Sequence, residues 1–304
     1  MPPEPDPFAP VRAAANASGG FCHEMTNHVA ALLPCAGQRL VVSFDNLVSP
    51  KAEGARMPWG HEFLARQGWD VLGIMARRAD WFRHPDLWDF FDRLRDEGFF
   101  RRYQAVSMYG ASMGGFGALT FAAAAPGCTV LAMAPQSTLA PRLTPFEHRF
   151  RYACRHHDWT GRYADAAEGM RAAGRAYVLF DPMEQADAAH AARLDGPNVT
   201  LLRLPHAGHK LPPALRRMGL LKDVALPALT GGLEPSGFYR LYRQRRNSVP
   251  WLVNLLAHAR QRGHLDAGLR LADTLLETRP HFKLRKERRA LQAALDARNS
   301  PPET

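Results

Sequence analysis

"YGASMGGFGAL", Tyr109 to Leu119, decides how this chain is read. Gly110, Ser112 and Gly114 spell G-x-S-x-G, a pattern that recurs by chance and means little alone. Its surroundings give it weight. The apolar run "QAVSMY" precedes it and an alanine-rich run with helical spacing follows, so the local prediction is strand, tight turn, helix. A turn that sharp tolerates only small residues beside the serine, because a Cβ there meets neighbouring backbone. Gly110, Gly114, Gly115 and Gly117 meet that need. A serine so placed stands at a helix N-terminus, where free N–H groups and the dipole favour developing negative charge. The N–H of Met113 is therefore the first candidate oxyanion donor. The competing reading is a phosphate-binding or purely structural glycine turn.

Outward from this stretch, short apolar runs alternate with helical patterns from Phe21 to about Gly232. "HVAALLP", "RLVVSFD", "WDVLGIM", "YQAVSMYG", "CTVLAMAP", "AYVLFD" and "NVTLLRLP" read as strands. Several are continuously apolar, as strands covered on both faces are. "GHEFLARQG", "DLWDFFDRLRDEG" and "MGGFGALTFAAAAPG" read as helices, each ending on a glycine suited to a C-cap. Such alternation predicts an α/β fold with a mostly parallel, doubly wound sheet.

The rest of the chain is read around that unit. Residues 1–18 are Pro-rich and acidic at their start and are expected to form a flexible tail, leaving 19–233 as the main domain. Within it, 136–174 breaks the rhythm with an aromatic- and histidine-rich stretch, "PFEHRFRYACRHHDWTGRYADA". An insertion of that length between strands commonly lies over the carboxyl edge of the sheet, so it reads either as a lid or as a peripheral helical excursion. From 234 to 304 the pattern becomes helix, glycine, helix, proline. Leu255, Gly263, Leu265, Asp266, Leu269 and Pro280 fall at spacings that resemble one tetratricopeptide repeat, whereas Gly268 and Leu275 stand where that repeat carries alanine. One repeat cannot bury its own face, so the hairpin is expected to pack on the main domain or on a protein partner.

Composition narrows the function classes. With 304 residues and 46% hydrophobic content, the chain suits one large domain with an appendage. The formal charge of +10 comes mostly from dispersed arginines and reads as a solvated surface, not as a nucleic-acid face. The basic run "YRLYRQRRNS" reads as a solvated linker, with a docking segment for an acidic partner as the alternative. Cys22, Cys35, Cys128 and Cys154 show neither CxxC nor metal-ligand spacing, so free, mostly buried thiols in a reducing compartment are expected. The N-terminus lacks a basic and then apolar leader, and no run of about 18 apolar residues occurs. The expected location is cytoplasmic.

A serine hydroxyl needs a base, and the base an orienting acid. After Ser112 the next clean strand is "AYVLF", ended by Asp181-Pro182. Asp181 is the favoured acid, with Glu184 and Asp187 as fallbacks just beyond; its alternative role is a helix cap or turn former. The strand "NVTLLRLP" then runs into "HAGHKLP". His209 is preferred over His206 as base because Gly208 lets the chain reach sideways to the serine. His156 and His157 are surface or substrate-contact candidates. A second oxyanion donor is expected after "LVVSFDN", at the amide of Asn46 or Leu47.

With Ser112, Asp181 and His209 in that order, residues 21–230 resemble the α/β-hydrolase superfamily. "SMGGFGAL" is similar to the elbow of its esterase-like members, and "FDP" and "GHKLP" stand where that family carries acid and histidine. Phe44-Asp45 departs from the His-Gly or Gly-rich run the family has before its oxyanion donor. The resemblance implies an eight-stranded, mostly parallel sheet with catalytic loops at its carboxyl edge. It also implies ester or thioester hydrolysis through an acyl-enzyme on a small-molecule substrate, without cofactor. The alternatives are an acyltransferase with a hydroxyl acceptor, or a silent hydrolase-like binding protein. No H-E-x-x-H or P-loop occurs, and "CTVLAMAPQS" lacks the acid a dinucleotide fold needs, so metal and nucleotide chemistry are not expected.

Overall fold

The computed structural model describes residues 6–46 and 56–299. Its elements follow the chain as α1 (Ala9–Ala17), β1 (Phe21–Glu24), β2 (His28–Leu33), β3 (Arg39–Phe44), α2 (His61–Ala65), β4 (Asp70–Ala76), α3 (Pro85–Asp96) and β5 (Ala105–Ala111). Next come α4 (Met113–Thr120), β6 (Thr129–Met133), α5 (Arg151–His156), α6 (Ala166–Gly169), β7 (Arg175–Phe180), α7 (Gln185–Arg193) and β8 (Val199–Arg203). The C-terminal helices are α8 (Leu211–Arg217), α9 (Leu221–Leu229), α10 (Pro235–Tyr242), α11 (Val249–Gln261), α12 (Leu265–Thr278) and α13 (Phe282–Asn299).

The strands form one eight-stranded sheet in the order β1-β2-β4-β3-β5-β6-β7-β8. β2 pairs antiparallel with both β1 and β4, and every later pairing is parallel. The parallel α/β character is what the alternating pattern predicts, and the eight-stranded, mostly parallel sheet is what the resemblance to the α/β-hydrolases implies. Because β3 and β5 to β8 run the same way, their carboxyl ends, and the loops after them, share one edge.

Side-chain alternation splits the interior in two. Met108 points into a core with Phe44, Phe82, Phe91 and Phe121; the rings of Phe44, Phe91 and Phe121 stack, with Phe91 and Phe121 4.2 Å apart, and Phe82 meets Phe44 edge-on. Its neighbour Tyr109 faces the other core, shared with Leu131, Leu179, Leu215, Val224, Phe238 and Tyr242 of β6, β7 and α8 to α10. A separate cluster holds α11, α12 and α13 together through Leu252, Leu256, Leu269, Leu284 and Leu291, and Met218 touches both it and the second core.

The N-terminal segment departs from expectation. Residues 9–17 form helix α1 instead of a tail, opened by Pro10 and with Val11 and Ala15 fully buried. Together with Phe8 they pack on Val29, Ala31, Leu33 and Met75. Burying Phe8 and Val11 contributes about 1.5–3 kcal/mol each, enough to dock a helix too short to stand alone. Strand β1, "FCHE", has no continuous apolar run; its half-buried edge position explains why pattern reading misses it. Of the four thiols only Cys128 is buried, and Cys35 is exposed. Among the described residues no helix is long and apolar enough to cross a membrane.

Candidate active site

β5 ends at Ala111 and α4 begins at Met113, so Ser112 alone makes the turn, with φ 51° and ψ −120°. A non-glycine residue held there is strained, and it persists only because its surroundings fix it. The Ser112 N–H donates to Met133 O at 2.8 Å, and Phe116 N–H donates to Ser112 O at 3.0 Å. Close packing does the rest. A Cβ on Gly110 would lie 2.0 Å from Gly114 O, and one on Gly114 would lie 2.5 Å from Phe44 O and 2.7 Å from Asp45 O. The elbow therefore abuts the end of β3, immediately before Asn46. Met113 is the first helical residue, and its N–H belongs to the helix-start groups that have no partner within the helix. Leu47, the other oxyanion candidate, lies outside the described residues.

His209 comes from the loop after β8. Gly208, at φ 75°, turns the chain before it, the role its position in the sequence suggests. Ser112 Oγ lies 3.0 Å from His209 Nε2, and His209 Nδ1 lies 2.8 Å from Asp187 Oδ2. An ionised carboxylate only accepts, so Nδ1 carries the proton and Nε2 is free to accept from the serine hydroxyl. Ser112 and His209 are half-buried, whereas the Asp187 side chain is fully enclosed.

The expected acid, Asp181, is not the partner of His209. Its Oδ1 accepts from Met183 N–H at 2.8 Å and His206 N–H at 3.1 Å, and its Oδ2 from Gly208 N–H at 2.7 Å. It closes the turn before α7 and anchors the backbone of the histidine loop. The carboxylate that reaches the imidazole stands six positions later, in the first turn of α7, which carries it back toward the sheet edge. His206 is also engaged elsewhere: its Nδ1 meets His258 Nδ1 at 2.7 Å. His156 lies exposed with Nδ1 on Tyr152 O.

Behind Asp187 runs a charged network that sequence reading did not assemble. Arg149 bonds Asp187 Oδ1 at 2.7 Å and forks onto Glu147 at 2.6 and 3.1 Å. Glu147 Oε2 meets His190 Nε2 at 3.1 Å, and His190 Nδ1 accepts from Ser137 N–H at 3.1 Å, which puts the imidazole proton on Nε2. Burial alone would raise the Glu147 carboxyl; the bonds from His190 and Arg149 instead bring it down to about 2. Burial lowers His190 against the opposing pull of Glu147 and keeps it neutral. Asp187 and His190 sit three apart on α7, one face of one helix, and that spacing was the available signal. Glu147 and Arg149 come from the 136–174 segment, so the insertion contributes to the surroundings of the acid. That segment is tied down elsewhere by Arg83, whose guanidinium donates to Asp158, Thr160 and Arg162 O at 2.8–2.9 Å and also to Tyr163 O.

A cavity of about 650 Å³ is lined by Asn46, Trp59, Phe63, Tyr109, Pro212 and Arg216 among others. It includes Asn46 beside the elbow, but neither Ser112 nor His209 lines it.

No protein-family model and no curated protein matches the chain. Similar solved structures exist at low identity. The capsule O-acetyltransferase of Neisseria meningitidis serogroup A is 12% identical, with a TM-score of 0.43 over 66% of this chain and 93% of its own. FphF, a fluorophosphonate-binding serine hydrolase of Staphylococcus aureus, is 12% identical, with a TM-score of 0.44 over 70% of this chain and 97% of its own. Carboxyl esterase 2 of the fungus Tuber melanosporum is 14% identical, with a TM-score of 0.42 over 72% and 83%.

Proposed function

We propose that the protein is a serine enzyme that cleaves a carboxylic ester or thioester through an acyl-enzyme on Ser112. The observation that carries this reading is the continuous chain from Ser112 Oγ through His209 to the enclosed carboxylate of Asp187. His209 Nε2 takes the hydroxyl proton as Ser112 Oγ attacks the carbonyl carbon. Asp187 stays ionised, holds the imidazole by Nδ1 and stabilises the imidazolium. Met113 N–H, at the start of α4, faces the developing oxyanion, and Asn46, beside the elbow at the end of β3, is the second donor. His209 then returns the proton to the leaving group, and the acyl-enzyme is resolved by water activated in the same way.

The test is a panel of small ester and thioester substrates offered to the wild type and to Ser112→Ala, with and without added acceptor alcohols. Free acid released by the wild type and lost in the variant is expected. Product ester formed only when an acceptor is present assigns the site to acyl transfer instead. A folded wild type inert to every substrate, with or without acceptor, would leave a hydrolase-like binding protein.

A further inference from the structure

The C-terminal helices are joined to the loop that carries His209, and the bonds fall on its backbone. Trp251 Nε1–H of α11 donates to Pro205 O at 2.8 Å, and Tyr242 O–H of α10 donates to the same oxygen at 3.0 Å. Asn254 Nδ2–H donates to His206 O at 3.0 Å, and His258 meets the His206 ring at 2.7 Å. Tyr239 Oη accepts from Arg203 N–H at 3.1 Å where β8 ends. From the inner side, Asp181 holds the N–H groups of His206 and Gly208. Residues 203–208 are thus gripped between one carboxylate and two helices, immediately before the histidine. Two of them, His206 at φ 66° and Gly208 at φ 75°, are in the left-handed region, so the loop holds a shape that a free segment would not keep.

We propose that α10 and α11 are part of the catalytic apparatus, with Trp251 and Asn254 as positioning residues that set His209 against Ser112. This rests on the serine-enzyme reading above. Neither residue touches the reacting atoms; each fixes a carbonyl within four residues of the base, and the resulting placement governs proton transfer. A displacement of about 1 Å at a reacting group costs up to about a hundredfold in rate. Substrate binding does not pass through these carbonyls, so the loss falls on kcat and leaves KM in place.

The experiment uses the full chain and four variants. Trp251→Phe keeps an aromatic ring, smaller than the indole, and removes the donor, Asn254→Ala removes the amide, Asn254→Gln keeps it on a longer arm, and Trp251→Phe/Asn254→Ala combines the losses. The readouts are the rate of labelling by a fluorophosphonate probe, kcat and KM on a small ester, and the folded fraction by circular dichroism. Per folded molecule, each single loss is expected to slow labelling and kcat about tenfold and the double about a hundredfold, at unchanged KM. Asn254→Gln is expected to recover part of the loss. Variants that label at the wild-type rate per folded molecule overturn the inference, and so does a loss confined to KM. If Asn254→Ala does not fold, Trp251→Phe decides alone. A wild type that fails to label overturns the reading of Ser112 instead, which separates the two failures.

Discussion

Asp187→Asn is the substitution that separates the roles of Asp181, at the end of β7, and Asp187, in the first turn of α7. Asp187 is fully enclosed, holds His209 Nδ1 at 2.8 Å and accepts from Arg149 at 2.7 Å. The amide of asparagine occupies nearly the same volume, so the packing survives. The chemistry does not. An amide that turns its NH₂ to Nδ1 forces the imidazole proton onto Nε2, where it faces Ser112 Oγ and cannot accept. The imidazolium formed during attack also loses its counter-charge. The loss expected for a disabled acid is about 10⁴-fold in kcat, or about 5 kcal/mol of barrier. Asp181→Asn is the control. Its carboxylate accepts three backbone N–H groups, so it loses loop stability and lowers the melting temperature, while kcat per folded molecule drops by far less. The assay is steady-state turnover of a small ester, normalised to folded protein. If Asp187→Asn stays within about threefold of the wild type while Asp181→Asn loses a thousandfold, the assignment of roles is refuted.

Other outcomes follow from the same geometry. Arg149→Met leaves Asp187 and Glu147 without their shared cation; because Arg149 is one-third exposed, the cost is about 1–2 kcal/mol, read as a lowered denaturation midpoint. Glu147 has a folded-state carboxyl at about 2, below its ordinary 4.5. Its contribution is therefore complete above pH 4.5 and is lost as pH falls through 2; it amounts to about 3 kcal/mol. Glu147→Gln should lower the melting temperature at pH 7 and flatten its decline between pH 5 and about 2, as calorimetry across that range would show. Gly114→Ala would bring a Cβ within 2.5 Å of Phe44 O, so the elbow must shift, and a loss of activity larger than the loss of folded protein is expected.

Much of this architecture is legible in the sequence because strong local physics agrees with the global fold. The strand before Ser112, the small residues around it and the helix after it leave little freedom, and Gly208 signals the turn before His209. What escaped has identifiable causes. β1 is short, polar and at the sheet edge, so it has no periodic signature. α1 is held by Phe8, Val11 and Ala15 against the sheet, a tertiary effect that its proline-rich flank conceals. Asp181 reads as the acid in sequence because it stands at the strand end; its three backbone acceptor bonds are invisible there, as is the return of α7 that presents Asp187. Arg149 and Glu147 lie some 40 residues before Asp187 and His190, and no spacing rule links them. The helical grammar after residue 234 is clear, yet its bonds to Pro205 and His206 depend on how α10 and α11 dock.

The central claim is that Ser112 is the nucleophile, made so by His209. It is tested most directly by exposing the folded protein to a fluorophosphonate probe and mapping the adduct by peptide mass spectrometry. One phosphonylated residue, Ser112, is expected in the wild type, with no adduct in Ser112→Ala and labelling slowed by several orders of magnitude in His209→Ala. An unmodified Ser112 in a folded, freshly prepared protein, or an adduct that forms equally fast without His209, would contradict it.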